Sequence, residues 1–299
     1  MIGFLPISIL AYALEGGAIV VNKIQLQTRQ LNPLAYTFYS GALQGLAIFL
    51  FPFGFKFDFS NLALLFSILS GVIFVLALYA LYQALQKNEA SVAGPLVGAF
   101  NPLFIHLLGV IFLSQLLTSG QLTAFYVLIL GGLALTFSLW SSRVNLNKGF
   151  LWIILSGFLL AISYIFLREA FLLTSFINGL ILSRVSAGSF VLLFLLLPGL
   201  RVKIFAKSSQ NVTQVSALFL FGQTLAAGGN FLIFLATSLT SPALVNAFFG
   251  VEYLVILLAA LIFAKKAPQL LDENLSRGVL VQKVAGAAVL SLGIYLLSK

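Results

Sequence analysis

The chain has 299 residues, of which 61% are hydrophobic and only 8% are charged. Soluble domains carry roughly 25% charged residues, so this composition excludes a soluble globular protein. Charged residues are missing from five long runs, at 30–55, 59–86, 90–142, 149–167 and 208–251. Because a membrane helix needs about 20 apolar residues, we predict an all-α, multi-pass membrane protein that lies in the lipid bilayer.

The net charge of +9 does not indicate a nucleic-acid interface. The basic residues lie in short joints between the apolar runs, where membrane proteins concentrate them. The chain has no cysteine and one histidine, and most of its seven acids are scattered, which argues against a zinc or two-metal site. The joints are also too short to hold a catalytic module. We therefore expect a non-enzymatic protein without a metal, a cofactor or a nucleic-acid partner.

In chain order, the apolar segments predict ten membrane spans. Turn-like or polar sequences separate them, including "LNP" at 31–33 and "FPFGFKFD" at 51–58. The long run at 90–142 is divided by "SQLLTSGQ" at 114–121. The predicted spans are 5–22, 33–52, 61–86, 91–113, 121–140, 149–167, 176–197, 214–236, 240–264 and 279–297.

The ten spans divide into two similar sets of five. Span 2, "NPLAYTFYSG", aligns with span 7, "FINGLILSRVSAG", so that Ser40 lies opposite Arg184. Span 4 aligns with span 9 in the same order, with Asn101 opposite Glu252. Since five is an odd number, the second copy must be inverted in the membrane, an arrangement typical of secondary transporters. We predict two inverted five-helix repeats, at 1–148 and 149–299.

The chain resembles the drug/metabolite transporter superfamily, specifically its EamA-type ten-helix exporters. The segment "ALYQALQKNEASVAGPLVGAFNPLF" resembles the family's junction of spans 3 and 4, with Pro102 at the family's proline. "SLTSPALVNAFFGVEYLV" resembles the second copy of that junction, with Glu252 where many members carry an acid. Arg184 matches an arginine common in span 7, and Gly286 and Gly293 resemble the closing glycine pattern.

Several positions depart from the pattern of the family. Ser40 stands where span 2 usually has an arginine, and Gln115 replaces the acid that usually follows span 4. The second copy of that acid position reads "AKK" at 264–266, and Tyr253 replaces a proline. These departures affect the expected substrate and loop contacts more than the expected fold.

Glu15 is an acid in the middle of the first span, about 15 Å into the membrane. Together with Lys23, eight residues later, it resembles the small-multidrug-resistance branch of the same superfamily, whose span-1 glutamate binds protons and cationic drugs in competition. A charged acid at this depth costs at least about 2.5 kcal/mol. Protonation or a water-filled cavity would relieve that cost, and both suit proton coupling. The structural alternative is a neutral acid hydrogen-bonded between helices.

Other polar residues within the spans are candidates for substrate or proton binding. Arg184 needs an anionic partner, and either a structural ion pair with Glu252 or a substrate carboxylate would serve. Glu252 is itself a candidate, with a structural hydrogen bond as the alternative, and His106 is either a proton relay or a neutral packed side chain. The remaining candidates would line a cavity or join helices: Tyr12, Tyr39, Tyr82, Gln83, Asn101, Asn230, Asn246 and Tyr253.

The charges and the family resemblance disagree about membrane orientation. Twelve of the sixteen lysines and arginines lie in or beside odd-numbered joints, which places both termini outside. The resemblance implies that both termini are in the cytoplasm.

The resemblance and the acids predict a secondary active transporter of the cytoplasmic membrane. It would export small metabolites or drugs, amino-acid-like, aromatic or cationic, with protons as the coupling ion, as a monomer or a homodimer. A lipid or nucleotide-sugar carrier of the same superfamily and a non-transport membrane protein are the alternatives. Nucleotide sugars rank lower because Arg184 is the only arginine or lysine expected in the cavity.

Overall fold

In a computed structural model of the chain, the residues that can be described are 3–29, 32–87, 90–113, 117–136, 148–205, 212–263 and 277–298. Within these ranges every regular element is a helix. The α-helices are α1 (Phe4–Arg29), α2 (Pro33–Gln44), α3 (Asn61–Lys87), α4 (Ala90–Leu113), α5 (Ser119–Thr136), α6 (Lys148–Leu173), α7 (Phe176–Leu193), α8 (Pro198–Ile204), α9 (Val212–Leu239), α10 (Pro242–Asn246), α11 (Phe249–Phe263) and α12 (Arg277–Ser298). Two 3₁₀ segments, Gly45–Phe53 and Phe194–Leu196, continue α2 and α7.

Six of the described helical segments are long and apolar enough to cross a membrane. They are Phe4–Val21, Pro33–Phe53, Asn61–Lys87, Gly149–Leu173, Phe176–Leu196 and Ala217–Leu239. Shorter apolar helices cover Leu96–Phe112, Ser119–Ala134, Pro242–Ile256 and Val281–Leu297. The predicted class, an all-α multi-pass membrane protein, is therefore confirmed. The count of ten spans and the inverted repeats stay predictions.

Large apolar side chains cover the outside of the helix bundle. Phe49 and Phe112 are 72% and 73% exposed, and Leu151 is 67% exposed. Contiguous apolar surface of this kind is rare on soluble monomers. In a bilayer it is the expected outer surface, because lipid tails are as apolar as these side chains.

The main packing contacts join helices from the two halves of the chain. Helix α1 packs along α9, α3 along α6, α5 along α12, and α2 against α7. Glycines allow the closest approaches. A Cβ on Gly71 would overlap the carbonyl oxygen of Ser183 in α7, and one on Gly131 in α5 would lie 2.5 Å from the backbone nitrogen of Leu290 in α12. Small residues at such contacts let helix backbones approach closely in a membrane.

The predicted ninth span, 240–264, is not a continuous helix. Helix α10 ends at Asn246, and α11 begins at Phe249. At the break, the N–H of Phe248 donates to the carbonyl of Val245, three residues back, at 3.2 Å. The side-chain amide of Asn246, the last residue of α10, donates to the carbonyl of Pro242, the first residue of that helix, at 2.9 Å. Interrupted helices in the membrane are typical of binding sites in secondary transporters.

Two further boundaries differ from the sequence prediction. The first helix continues to Arg29, seven residues beyond the predicted end of span 1. The joint between the predicted spans 7 and 8 begins with the short helix α8, which has Pro198 at its first position. Proline suits that position because its fixed φ is already helical and its missing N–H has no partner there.

Candidate functional site

Glu15 lies in the middle of α1, where that helix packs along α9. The side-chain amide of Asn230, in α9, donates a hydrogen bond of 2.5 Å to Oε1 of Glu15 and a second bond of 2.9 Å to the carbonyl of Ala226. Gly229, beside Asn230, leaves the space that the carboxyl occupies, since a Cβ there would lie 2.9 Å from both Cγ and Oε1 of Glu15. The predicted acid is therefore held at the contact between the two halves of the chain.

A second group of polar side chains lies one turn of α1 away from Glu15. The hydroxyl of Tyr12 donates to Oδ1 of Asn246 at 3.0 Å, and the amide of Asn101 donates to the same oxygen at 3.0 Å. Asn246 is 2% exposed and lies where α10 breaks from α11. This group, Tyr12, Asn101 and Asn246, joins α1, α4 and α10, and we call it the asparagine junction. Tyr12 lies three residues before Glu15, so both side chains project from similar sides of α1.

Glu252 lies in the first turn of α11, a helix that also packs against α1. Its backbone approaches Gly16 so closely that a Cβ on Gly16 would lie 2.7 Å from the Glu252 carbonyl oxygen. The Glu15 and Glu252 carboxyl groups are near enough to interact electrostatically. The ring of Tyr253 packs on Phe249, with centroids 6.0 Å apart. Two of the acids predicted as candidates thus belong to one region of the protein.

Arg184, in α7, is 3% exposed and lies between two aromatic rings. Its guanidinium carbon is 4.4 Å from the ring centroid of Phe74 in α3 and 4.7 Å from that of Phe234 in α9. Nε is 3.4 Å from the hydroxyl of Ser183, while neither terminal nitrogen has a hydrogen-bond partner among the described residues. The predicted ion pair with Glu252 is not formed. The guanidinium is instead stabilised by the faces of the two rings.

An aromatic cluster joins the ends of α2, α3 and α9. The ring of Tyr36 lies 4.5 Å from that of Tyr82 and 5.7 Å from that of Phe219, edge to face in both cases. The hydroxyl of Tyr82 donates to Ser40 at 3.3 Å. Tyr36 is also hydrogen-bonded to the side chain of Gln223. Aromatic side chains therefore fill the space between α2 and α9. Between α3 and α7, in contrast, the helix backbones themselves approach closely.

Comparison with known proteins gives a family match for the first part of the chain. The model of the EamA-like transporter family matches residues 3–138. Over that segment the chain is similar to the EamA-like transporters. A solved structure titled "Crystal structure of protein" covers 99% of this chain and 99% of its own, with a TM-score of 0.62 and 16% identity. At that identity the likeness shows a shared fold alone. No curated protein matches the chain.

The fold brings most of the predicted candidates together but separates three of them. Tyr39 is 44% exposed and packs on the ring of Phe38. Gln83 donates to the hydroxyl of Tyr79 at 2.9 Å, within its own helix. His106 packs on the ring of Phe125, with centroids 5.2 Å apart, and within the described part of the chain it makes no hydrogen bond.

Some predicted features lie outside the residues that the structure describes. These are the side chain of Lys23, Gln115, and the segment 264–266. Several of the lysines and arginines from which the membrane orientation was predicted also lie outside the described residues, in the segments 137–147, 206–211 and 264–276.

Sequence reasoning missed three aromatic residues of the site, namely Phe74, Phe234 and Tyr164. The first two contact Arg184, and the charge of Tyr164 would interact with both Glu15 and Arg184. The chain has 30 phenylalanines and nine tyrosines. Since aromatic residues are this common in every span, no signal in the sequence separates these three from those that face lipid.

Proposed function

We propose that this protein is an EamA-type secondary active transporter of the cytoplasmic membrane that exports small organic solutes, amino-acid-like, aromatic or cationic, in exchange for protons. The main support for the proposal is the hydrogen bond between Glu15 and Asn230, which places a carboxyl group at the interface between the two halves of the chain. An ionisable residue inside a membrane helix is a candidate functional group by default, because leaving it there is costly.

In the proposed mechanism, a proton and the solute compete for Glu15. The protonated carboxyl is neutral and keeps its hydrogen bond to Asn230, while the ionised carboxylate attracts an ammonium or another cationic group. Since only one of the two occupies the site at a time, the outward movement of solute is tied to the inward movement of protons. The solute displaces the proton to one side of the membrane, and the next proton arrives from the other.

The packing of the helices supports a rocking movement of two repeats around this site. Under the predicted repeat, α1 corresponds to α6 and α3 to α9, so the contact of α1 with α9 is the counterpart of the contact of α6 with α3. Helix α5 corresponds to α12 and α2 to α7, so each of these two contacts joins a helix to its own counterpart in the other repeat. Paired contacts of this kind are expected of inverted repeats that share a central axis.

Proton movement in proteoliposomes tests the proposal. Vesicles that hold a pH-sensitive dye are given amino acids, aromatic amines or quaternary cations, and the solute-dependent pH change is compared between wild type and Glu15→Gln. Glutamine keeps the size of the side chain and an oxygen that accepts from Asn230, but it cannot exchange a proton. Glu169→Gln is the matched control. Glu169 is an acid near the C-terminal end of α6, in a different helix from Glu15 and in the other half of the chain.

We expect solute-dependent proton flux in wild type and in Glu169→Gln, and its loss in Glu15→Gln. A proton flux that is unchanged in Glu15→Gln would contradict the role of Glu15. The lack of solute-dependent flux for every class of solute in wild type would contradict proton-coupled transport itself.

A further inference from the structure

Arg184 is a buried cation whose hydrogen-bonding capacity is mostly unused. It is 3% exposed, Nε has one long contact of 3.4 Å to Ser183, and Nη1 and Nη2 have no partner among the described residues. Charged residues within membrane helices almost always pair with another charge or with backbone carbonyls. Arg184 departs from that rule in this structure. A buried cation whose terminal N–H groups have no acceptor can bind an anion.

The surroundings of Arg184 determine which anion it fits. The rings of Phe74 and Phe234 lie over the guanidinium, and a ring face attracts a cation but accepts no pair of N–H bonds. The two terminal nitrogens therefore keep their donors, in the fixed planar fork of an arginine. A carboxylate presents two oxygens in one plane at the matching spacing, and so accepts both N–H groups at once. Two apolar rings beside the fork favour a small organic acid over a strongly hydrated inorganic anion.

The position of Arg184 relates it to Glu15. Phe234, on which the guanidinium lies, follows Asn230 by four residues on α9, about 6 Å along the helix. Asn230 is the residue that bonds Glu15. On α6, the charge of Tyr164 would interact with both the carboxyl of Glu15 and the guanidinium of Arg184. An acid and a base of opposite charge thus face one part of α9, about one helical turn apart, without pairing with each other.

From this geometry we propose that Arg184 binds the carboxylate of the transported solute, between Phe74 and Phe234. The proposal rests on the proposed function, because it names the chemical class that the transport site takes. Solutes of this site carry a carboxylate, and a cationic group on the same molecule lies toward Glu15. Arg184 is then a specificity-determining residue that distinguishes acids and amino acids from simple amines.

Binding in nanodiscs tests the proposal without any need for transport. The probes are three matched sets in which an amino acid, the amine without its carboxylate and the acid without its amino group share a side chain: the alanine, leucine and phenylalanine series. The ligand-dependent rise in unfolding temperature gives an apparent affinity for each probe. The variants are Arg184→Gln, which removes the charge, and Arg184→Lys, which keeps the charge without the planar fork. Arg168→Gln is the control, because Arg168 donates to the carbonyl of Ser238 at 2.6 Å and serves a structural contact.

We expect at least one acid or amino acid of the panel to stabilise wild type and Arg168→Gln. Its binding should be at least about tenfold weaker in both Arg184 variants, because a charge-assisted, two-pronged contact is lost or reduced. The matched amine should bind equally well with or without Arg184.

Three outcomes would overturn the proposal: no stabilisation of wild type by any carboxylate-bearing probe, equal binding of those probes to wild type and to Arg184→Lys, or an equal loss of the acid and of its amine in both variants. Arg184→Lys keeps the test decisive if Arg184→Gln does not fold.

The result also separates this proposal from the proposed function. Carboxylate binding that depends on Arg184, together with no solute-dependent proton flux, refutes proton-coupled transport and retains the Arg184 site.

Discussion

Replacing Asn246 with alanine tests whether the asparagine junction holds the two halves of the chain together. The side chain of Asn246 makes three hydrogen bonds: it accepts from Tyr12 and from Asn101 at 3.0 Å each, and it donates to the carbonyl of Pro242 at 2.9 Å. Its Oδ1 therefore links α10 to both α1 and α4. Asn246→Ala removes all three bonds and takes away the acceptor of the buried Tyr12 hydroxyl.

The expected loss of stability follows from the number of bonds. Interhelical hydrogen bonds in membrane proteins contribute about 0.6 kcal/mol on average and about 1.7 kcal/mol at most. Two of the three bonds join different helices, which gives a loss of about 1 to 3.5 kcal/mol for Asn246→Ala. Tyr12→Phe removes only one of them and should lower the free energy of unfolding by about 0.6 to 1.7 kcal/mol.

Unfolding in mixed micelles, followed by loss of helical signal as denaturing detergent is added, measures these differences. Thr224→Ala is the control, because Thr224 is exposed and bonds only the carbonyl of Leu220 in its own helix, so its change should stay within about 0.5 kcal/mol. The double variant of Tyr12 and Asn246 should lose less than the sum of the single losses, since both remove the same bond. Strict additivity, or a loss for Asn246→Ala no larger than for the control, would refute the role of the junction.

Two glycine substitutions test close contacts, each against a control glycine with more room. Gly229→Ala places a Cβ 2.9 Å from Oε1 of Glu15 and should lower solute-dependent proton flux about three- to sixteenfold, the equivalent of one interhelical hydrogen bond. Gly228→Ala, whose nearest contact is a flexible leucine methyl at 3.5 Å, should leave the flux unchanged, and equal effects of the two would contradict the reasoning. Gly71→Ala should destabilise the protein by about 1 to 3 kcal/mol in the detergent titration, since its Cβ meets backbone atoms of α7. Gly17→Ala, against a leucine methyl at 3.4 Å, is the tolerant control, and a Gly71→Ala variant as stable as this control would show that α3 and α7 separate freely.

The sequence was sufficient to predict the helices and the intramembrane charges. Apolar runs have a length that the bilayer sets, so their positions follow from composition. The described helices overlap the predicted spans, with differences at the ends. Glu15, Arg184 and Asn246 are identifiable because a polar residue in an apolar run is rare and costly.

The partners of these residues could not be predicted from the sequence, because they lie far away along the chain. Glu15 and Asn230 are 215 residues apart, and Tyr12 and Asn246 are 234 apart. No local pattern encodes such a contact. Arg184 shows the consequence, since the sequence indicates Glu252 or a substrate carboxylate as its partner, while the fold surrounds the guanidinium with two phenylalanine rings. The break between α10 and α11 was also missed, because it depends on i to i−3 backbone bonding in a segment whose composition is as apolar as that of its neighbours.

The location of Glu15 gives a physical reason for an acid in the first helix. Its carboxyl lies at a contact between two helices, where α1, from the first half of the chain, meets Asn230 of α9, from the second half. Any movement of one half against the other must lengthen or break that bond. The strength of the bond depends on whether the carboxyl is neutral or ionised, because hydrogen bonds to charged groups are about twice as strong as neutral ones. In the proposed mechanism, a single proton at Glu15 therefore changes the energy of the contact between the halves, which is the property that a proton-driven transporter requires of its coupling site.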